Sequence, residues 1–155
     1  MAGAPARVVT VSSSVHERID EIPWDDLQGE RRYDGNFAYS LSKLLNILFT
    51  TELARRLAGT GVTANSVRPG FLRTDLAREA AGFYQIFFAL IRPFQQGPEA
   101  GADEVVYAAT TPELENVTGQ YLAKHTPIQP SQLARDQAAA QRLWEISARL
   151  TGVDG

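Results

Sequence analysis

Between residues 7 and 67 the hydrophobic pattern changes period twice, and that constrains the fold more than any other feature of the chain. Arg7-Val8-Val9-Thr10-Val11-Ser12 is β-branched and almost continuously apolar, as expected of a parallel strand buried on both faces. From Phe37 to Leu57 the spacing becomes helical: Phe37, Leu41, Leu44, Leu45, Leu48, Leu53 and Leu57 define one broad apolar face. Gly59 and Gly61 follow as stop signals. Gly61-Val62-Thr63-Ala64-Asn65-Ser66-Val67 reads as a second strand, closed by Arg68-Pro69-Gly70. Strand, helix of about twenty residues and strand make a crossover unit, which implies parallel strands under a covering helix and an α/β fold.

The rest of the sequence extends this pattern. Residues 16–35 are polar, with Pro23, Gly29 and Gly35 as breakers, and form an expected long loop of the kind that is usually functional. After Gly70 come Thr74, Asp75 and an aromatic and aliphatic patch from Phe83 to Ile91. A helix is expected from Pro98 to about Ala109, a short third strand over Gly119–Ala123, and a final helix over about 132–150. No internal repeat or low-complexity segment interrupts the order.

Composition narrows the function classes. The 155 residues are 44% hydrophobic and 21% charged, enough for one domain with a sizeable core. The net charge of −3 and the absence of any basic run longer than Arg31-Arg32 argue against a nucleic-acid partner. There is no cysteine and only two histidines, His16 and His125, so no metal site is expected and neither histidine is assigned a chemical role. Residues 1–7 lack the apolar core of a signal peptide, and the greasiest stretch, 83–94, is broken by Gln85 and Arg92 and too short to span a bilayer. A cytoplasmic location is expected.

Tyr39-Ser40-Leu41-Ser42-Lys43 carries the candidate chemistry. Residues four apart on a helix lie one turn apart on the same face, so the Lys43 ammonium can sit by Tyr39 and favour its phenolate. An unperturbed phenol, which titrates near pH ~10, is a poor base at neutral pH, and a nearby positive charge makes it a better one. A serine delivered by the preceding strand, from Ser12-Ser13-Ser14, could hydrogen-bond a carbonyl or alcohol oxygen beside them. The tyrosine–lysine spacing alone is weak evidence. With five tyrosines and two lysines in the chain, chance produces it in roughly one such sequence in fifteen.

The order of motifs is far more specific. Val-Ser-Ser-Ser-Val-His at 11–16, Trp24-Asp25-Asp26-Leu27, Tyr33-Asp34, Tyr39-Ser40-Leu41-Ser42-Lys43-Leu44 and Val67-Arg68-Pro69-Gly70 resemble the catalytic half of the short-chain dehydrogenase/reductases, in particular the retinol-dehydrogenase-like branch. The resemblance covers residues 7 to about 125. It implies a Rossmann-like doubly wound sheet and hydride transfer between NAD or NADP and a small, apolar alcohol or carbonyl substrate, as in an NAD(P)-dependent alcohol dehydrogenase or carbonyl reductase. By that resemblance Tyr39 is the acid/base, Lys43 supports it and holds the nicotinamide ribose, and Ser13, three residues before His16, is the catalytic serine. Pro69 and Gly70 would form the turn beside the nicotinamide, with Phe71 and Leu72 near its ring. Thr74 would reach its carboxamide or phosphate, and residues from about 71 to 97 would form a substrate lid. Such a site lies at the carboxyl ends of the strands.

One departure matters. No Gly-x-x-x-Gly-x-Gly occurs in the 155 residues, and no strand–turn–helix unit precedes Arg7. That turn lets backbone approach the dinucleotide pyrophosphate. Residues 1–155 are therefore expected to form a partial Rossmann domain, the C-terminal catalytic half. The choice between NAD and NADP is unreadable, and the isolated chain is expected to be inactive or very weak. A truncated gene product stands first among the explanations. A non-catalytic partner subunit pairing with another short-chain dehydrogenase, or a homo-oligomer, is the alternative.

Overall fold

The strand–helix–strand unit forms as the periodicity predicts. β1 (Ala6–Val11) and β2 (Val62–Val67) run parallel, in register from Ala6 opposite Val62 to Val11 opposite Val67. The computed structural model describes residues 5–70 and 98–153. β3 (Tyr121–Ala123) lies parallel to β2, and β4 (Thr126–Pro127) returns antiparallel to β3, giving the order β1-β2-β3-β4. Phe71, Leu72, Thr74 and the expected lid fall outside the described residues.

Helix α1 spans Gly35–Arg56, starting two residues before the first apolar position because Asp34 caps it. The Asp34 backbone is extended and its carboxylate accepts from the Phe37 N–H at 2.7 Å, a contact that contributes about 1 kcal/mol. The chain leaves α1 through Gly59 and Gly61, both at positive φ, where a side chain would be strained. Helix α2 (Pro98–Thr110) and helix α3 (Gln137–Thr151) complete the helical set among the described residues.

The sheet divides the helices into two layers, because neighbouring residues of a strand point to opposite faces. Tyr121 packs with Leu41, Leu44, Ile47 and Leu48 of α1 and Leu143 of α3. Its neighbour Leu122 packs with Val67, Ala108 of α2 and Leu114 on the other side. Within α1 the buried Glu52 accepts from Arg55 at 2.7 and 2.8 Å and from Arg56 at 2.8 Å, so its charge is fully paired.

Three expectations need correction. β1 is not buried on both faces: Val8 and Val11 are 37% and 41% exposed. It pairs on one side with β2 and has no strand on its other side among the described residues. β2 lies between β1 and β3, and its last four residues are all buried. The final helix starts later than residue 132, because Asp136 takes the cap and accepts from the N–H groups of Ala138 and Ala139; Leu133–Arg135 forms only a 3-10 turn. β4 was not expected. It forms because Lys124 and His125 both adopt positive φ, 50° and 60°, the backbone that a tight two-residue hairpin requires.

Candidate active site

The carboxyl ends of β1 and β2 lie side by side, so the residues that follow them are brought together. The Ser12 N–H donates to the Val67 carbonyl at 2.8 Å, the last rung of that ladder. One residue beyond Ser12 is Ser13; two residues beyond Val67 is Pro69, with Gly70 exposed after it. The strand register thus places Ser13 and the Pro69-Gly70 pair at one end of the sheet.

Helix α1 supplies the other two groups. Tyr39 and Lys43 share a face, with the Lys43 Nζ 5.3 Å from the centre of the Tyr39 ring. The same ammonium donates to the Val11 carbonyl at 3.5 Å, so it lies between the phenol and the end of the serine strand. Tyr39 is 42% exposed. The Ser42 hydroxyl, on the neighbouring flank, donates to the Tyr39 carbonyl at 2.7 Å.

The serine cluster separates into distinct roles. Ser12 is buried and its Oγ donates to the Lys43 carbonyl at 2.7 Å, fastening β1 to α1. Ser13 is half-buried and caps the 3-10 turn Ser14–Arg18; its Oγ accepts from the Val15 N–H at 3.4 Å, and its hydroxyl hydrogen goes to no described residue. Ser14 is the first residue of that turn.

No motif in the chain points to Asn46. It lies one turn beyond Lys43 and its Nδ2 donates to the Val11 carbonyl at 3.0 Å, a shorter contact than the lysine makes with the same oxygen. The carbonyl oxygen, with two lone pairs, accepts from both, and the other two hydrogens of the Lys43 ammonium go to no protein acceptor among the described residues. Only the spacing of Asn46 from Lys43, on the same helical face, could have drawn attention to it.

An apolar cleft of about 550 Å³ lies on the other flank of α1, beneath the loop before it, lined by Leu27, Tyr33, Phe37, Leu41 and Leu45 among others. Tyr39 and Lys43 do not line it, so it is separate from the face carrying the candidate chemistry. Among the described residues no cluster of metal-ligating side chains is present, and no helix is long and apolar enough to cross a membrane.

Comparison with known proteins adds a family pattern to this geometry. A family model described as short chain dehydrogenase matches residues 26–84. Human retinol dehydrogenase 12 is 44% identical over 152 residues, 97% of this chain and 47% of that protein. Human retinol dehydrogenase 14 is 41% identical over 157 residues, 98% and 46% respectively. The crystal structure of an uncharacterized protein from Mycobacterium paratuberculosis superposes with a TM-score of 0.70 at 34% identity, covering 94% of this chain and 50% of that one. A Serratia marcescens short-chain dehydrogenase/reductase mutant, at 24% identity and a TM-score of 0.52, shows likeness of fold alone. The chain spans about half the length of the relatives it matches.

Proposed function

Since the chain belongs to the short-chain dehydrogenase/reductase family, on its retinol-dehydrogenase-like branch, we propose that Ser13, Tyr39 and Lys43 are the proton-transfer site of an oxidoreductase interconverting a small apolar alcohol and its carbonyl. The observation that carries this reading is Lys43, lodged between the Tyr39 ring at 5.3 Å and the Val11 carbonyl at the end of the serine strand. In the reducing direction the Tyr39 hydroxyl gives its proton to the substrate oxygen, and the Lys43 charge stabilises the phenolate left behind. The Ser13 hydroxyl, given to no described residue, donates to the same substrate oxygen and fixes its position. The reverse reaction uses the same groups with the proton moving back to Tyr39.

The donor set fits one end of a nicotinamide dinucleotide. Lys43 offers an ammonium to the ribose, while Pro69 and Gly70 follow the end of β2 and put an exposed, side-chain-free residue there. Phe71, Leu72 and Thr74, outside the described residues, belong to the same proposal. The bound cofactor supplies or accepts the hydride. The pyrophosphate end has no matching glycine-rich turn in the 155 residues. Residues 1–155 are accordingly the proton-transfer part of a Rossmann-like domain, with little or no turnover of their own, in a cytoplasmic setting that cell fractionation would check.

A chimera tests this reading: the first half of human retinol dehydrogenase 12 joined to this chain, assayed for NADPH- and NADH-dependent reduction of decanal. Turnover is expected in the chimera and not in the chain alone, with Tyr39→Phe lowering it by roughly 10²–10⁴. A folded chimera that binds cofactor but has no turnover, or that keeps its rate in Tyr39→Phe, would sink the reading. Turnover by the chain alone would overturn only the claim that it needs the other half.

The open side of β1 favours a second reading. Among the described residues no strand lies on that side. Val8 and Val11 of this edge strand are exposed on opposite faces of the sheet, and an unpaired apolar strand edge invites pairing with another chain. On this reading the protein is a non-catalytic partner of a second short-chain dehydrogenase or of another copy of itself. Stoichiometric co-purification that a Val8→Lys substitution abolishes would support it, and a monomer that captures no such chain would count against it.

A further inference from the structure

We propose that His16 is the positioning residue of this site: a neutral imidazole with its hydrogen on Nδ1 that holds the turn carrying Ser13. The proposal rests on the reading of Ser13 as a catalytic serine. His16 is completely buried. Its Nδ1 lies 2.7 Å from the Ser13 carbonyl oxygen, and its Nε2 lies 3.1 Å from the Ser131 backbone nitrogen. A carbonyl oxygen can only accept and a backbone N–H can only donate, so Nδ1 must carry the hydrogen and Nε2 the lone pair. The imidazolium and the other neutral tautomer each break at least one of these bonds.

The fold leaves this task to His16. The β1–β2 ladder ends with Ser12 N–H to Val67, and beyond that rung the Ser13 carbonyl is held, among the described residues, only by His16, through the imidazole at 2.7 Å and the backbone N–H at 3.3 Å. The ring is fixed in turn by an edge-on contact with Tyr121 at 5.3 Å and 82°. It is also held by Ser131, 115 residues away in sequence. One side chain therefore locks the serine turn to both the sheet and the segment before α3. A leucine or phenylalanine would fill the same space without either bond, so packing alone does not account for a histidine here.

Two substitutions separate the bonds. His16→Asn places an amide nitrogen where Nδ1 stands and gives up the Ser131 contact. His16→Gln reaches the Nε2 position with its oxygen and gives up the donor to Ser13. In the chimera, His16→Gln is expected to lower kcat at least tenfold with little change in KM, and His16→Asn to keep most of it. In the unsubstituted 155-residue chain, imidazole ¹⁵N shifts should show a protonated Nδ1 and an unprotonated Nε2. The opposite tautomer, or a His16→Gln variant as active as the parent beside an impaired His16→Asn, would overturn the proposal. If Tyr39→Phe shows that the reaction itself is misread, hydrogen exchange of the Val15–Arg18 amides decides. Roughly tenfold faster exchange in His16→Gln but not in His16→Asn supports the positioning role, and equal protection in both rejects it.

Discussion

From Leu44 to Ala54, helix α1 buries Leu44, Ile47, Leu48, Thr50, Glu52 and Ala54, whereas between Gly35 and Lys43 it buries only Ser40 and Leu41 and leaves Phe37 and Tyr39 44% and 42% exposed. The same continuous helix thus has an anchored half and a presented half. Each is capped or paired by different means: Asp34 at the exposed start, and the buried Glu52 with Arg55 and Arg56 near the end. Aromatic contacts add to the anchor, with Phe49 stacked on Trp144 at 5.5 Å and Arg56 over the same indole at 4.5 Å. Chemistry placed on the first half inherits the rigidity of the second, since Tyr39 and Lys43 ride on a helix whose later turns cannot shift independently. The loss of packing at one end is therefore what leaves the phenol accessible.

The contrast makes its largest prediction for a matched pair of truncations. Leu48→Ala removes a fully buried side chain from the anchored half and is expected to cost about 2–5 kcal/mol in urea unfolding. Phe37→Ala, in the presented half, is expected to cost under about 1 kcal/mol. Similar losses at both positions would mean that the two halves share one packing environment.

Glu52→Gln comes next, at about 1–3 kcal/mol near neutral pH, because a buried ionic acceptor is lost from a bidentate pair. Its direction with pH sharpens the contrast further. Hydrogen bonding by Arg55, aided by Arg56 and outweighing burial, holds the Glu52 carboxyl below its usual value of 4.5. Stability from a carboxyl whose folded value is depressed is present above its unfolded value and lost as pH falls through the folded one. The parent protein should therefore lose this contribution in acid below about pH 4.5, and Glu52→Gln should not. An unchanged acid limb of the stability curve in the variant would remove Glu52 from the anchor.

These differences also explain which parts could be read from the sequence. The crossover unit was legible because Arg7–Ser12 and Phe37–Leu57 carry unmistakable and different periods. The exposure of β1 was not, since a strand's composition records its hydrophobicity and not its neighbours: Val8 and Val11 are exposed, and among the described residues β1 has a strand on one side only. The spacing to His16 singles out Ser13 only through the family resemblance. What no spacing shows is that the Ser12 hydroxyl is committed to the Lys43 carbonyl, a contact across 31 residues. Asn46 and the Ser131 contact of His16 were opaque for the same reason: Val11 and Ser131 present backbone groups that only the folded chain brings near.

The smallest effect at neutral pH belongs to Tyr121, whose ring lies under the anchored half of α1. Burial pushes its phenol up to about 12, with the positive charge of Arg68 pulling the other way. The unfolded chain ionises this group near pH ~10, so above that pH ionisation favours the unfolded state until the buried phenol ionises as well. The contribution is intact below about pH 10 and is lost as pH rises toward 12. Tyr121→Phe keeps the edge contact with His16 and should change stability at pH 7 by less than about 1 kcal/mol. At pH 11 it should outlast the parent by about 1 kcal/mol, because it has no phenol to ionise on unfolding. If parent and variant instead lose stability in parallel above pH 10, the alkaline weakness lies elsewhere, and the floor beneath the anchored half of α1 is wetter than its burial implies.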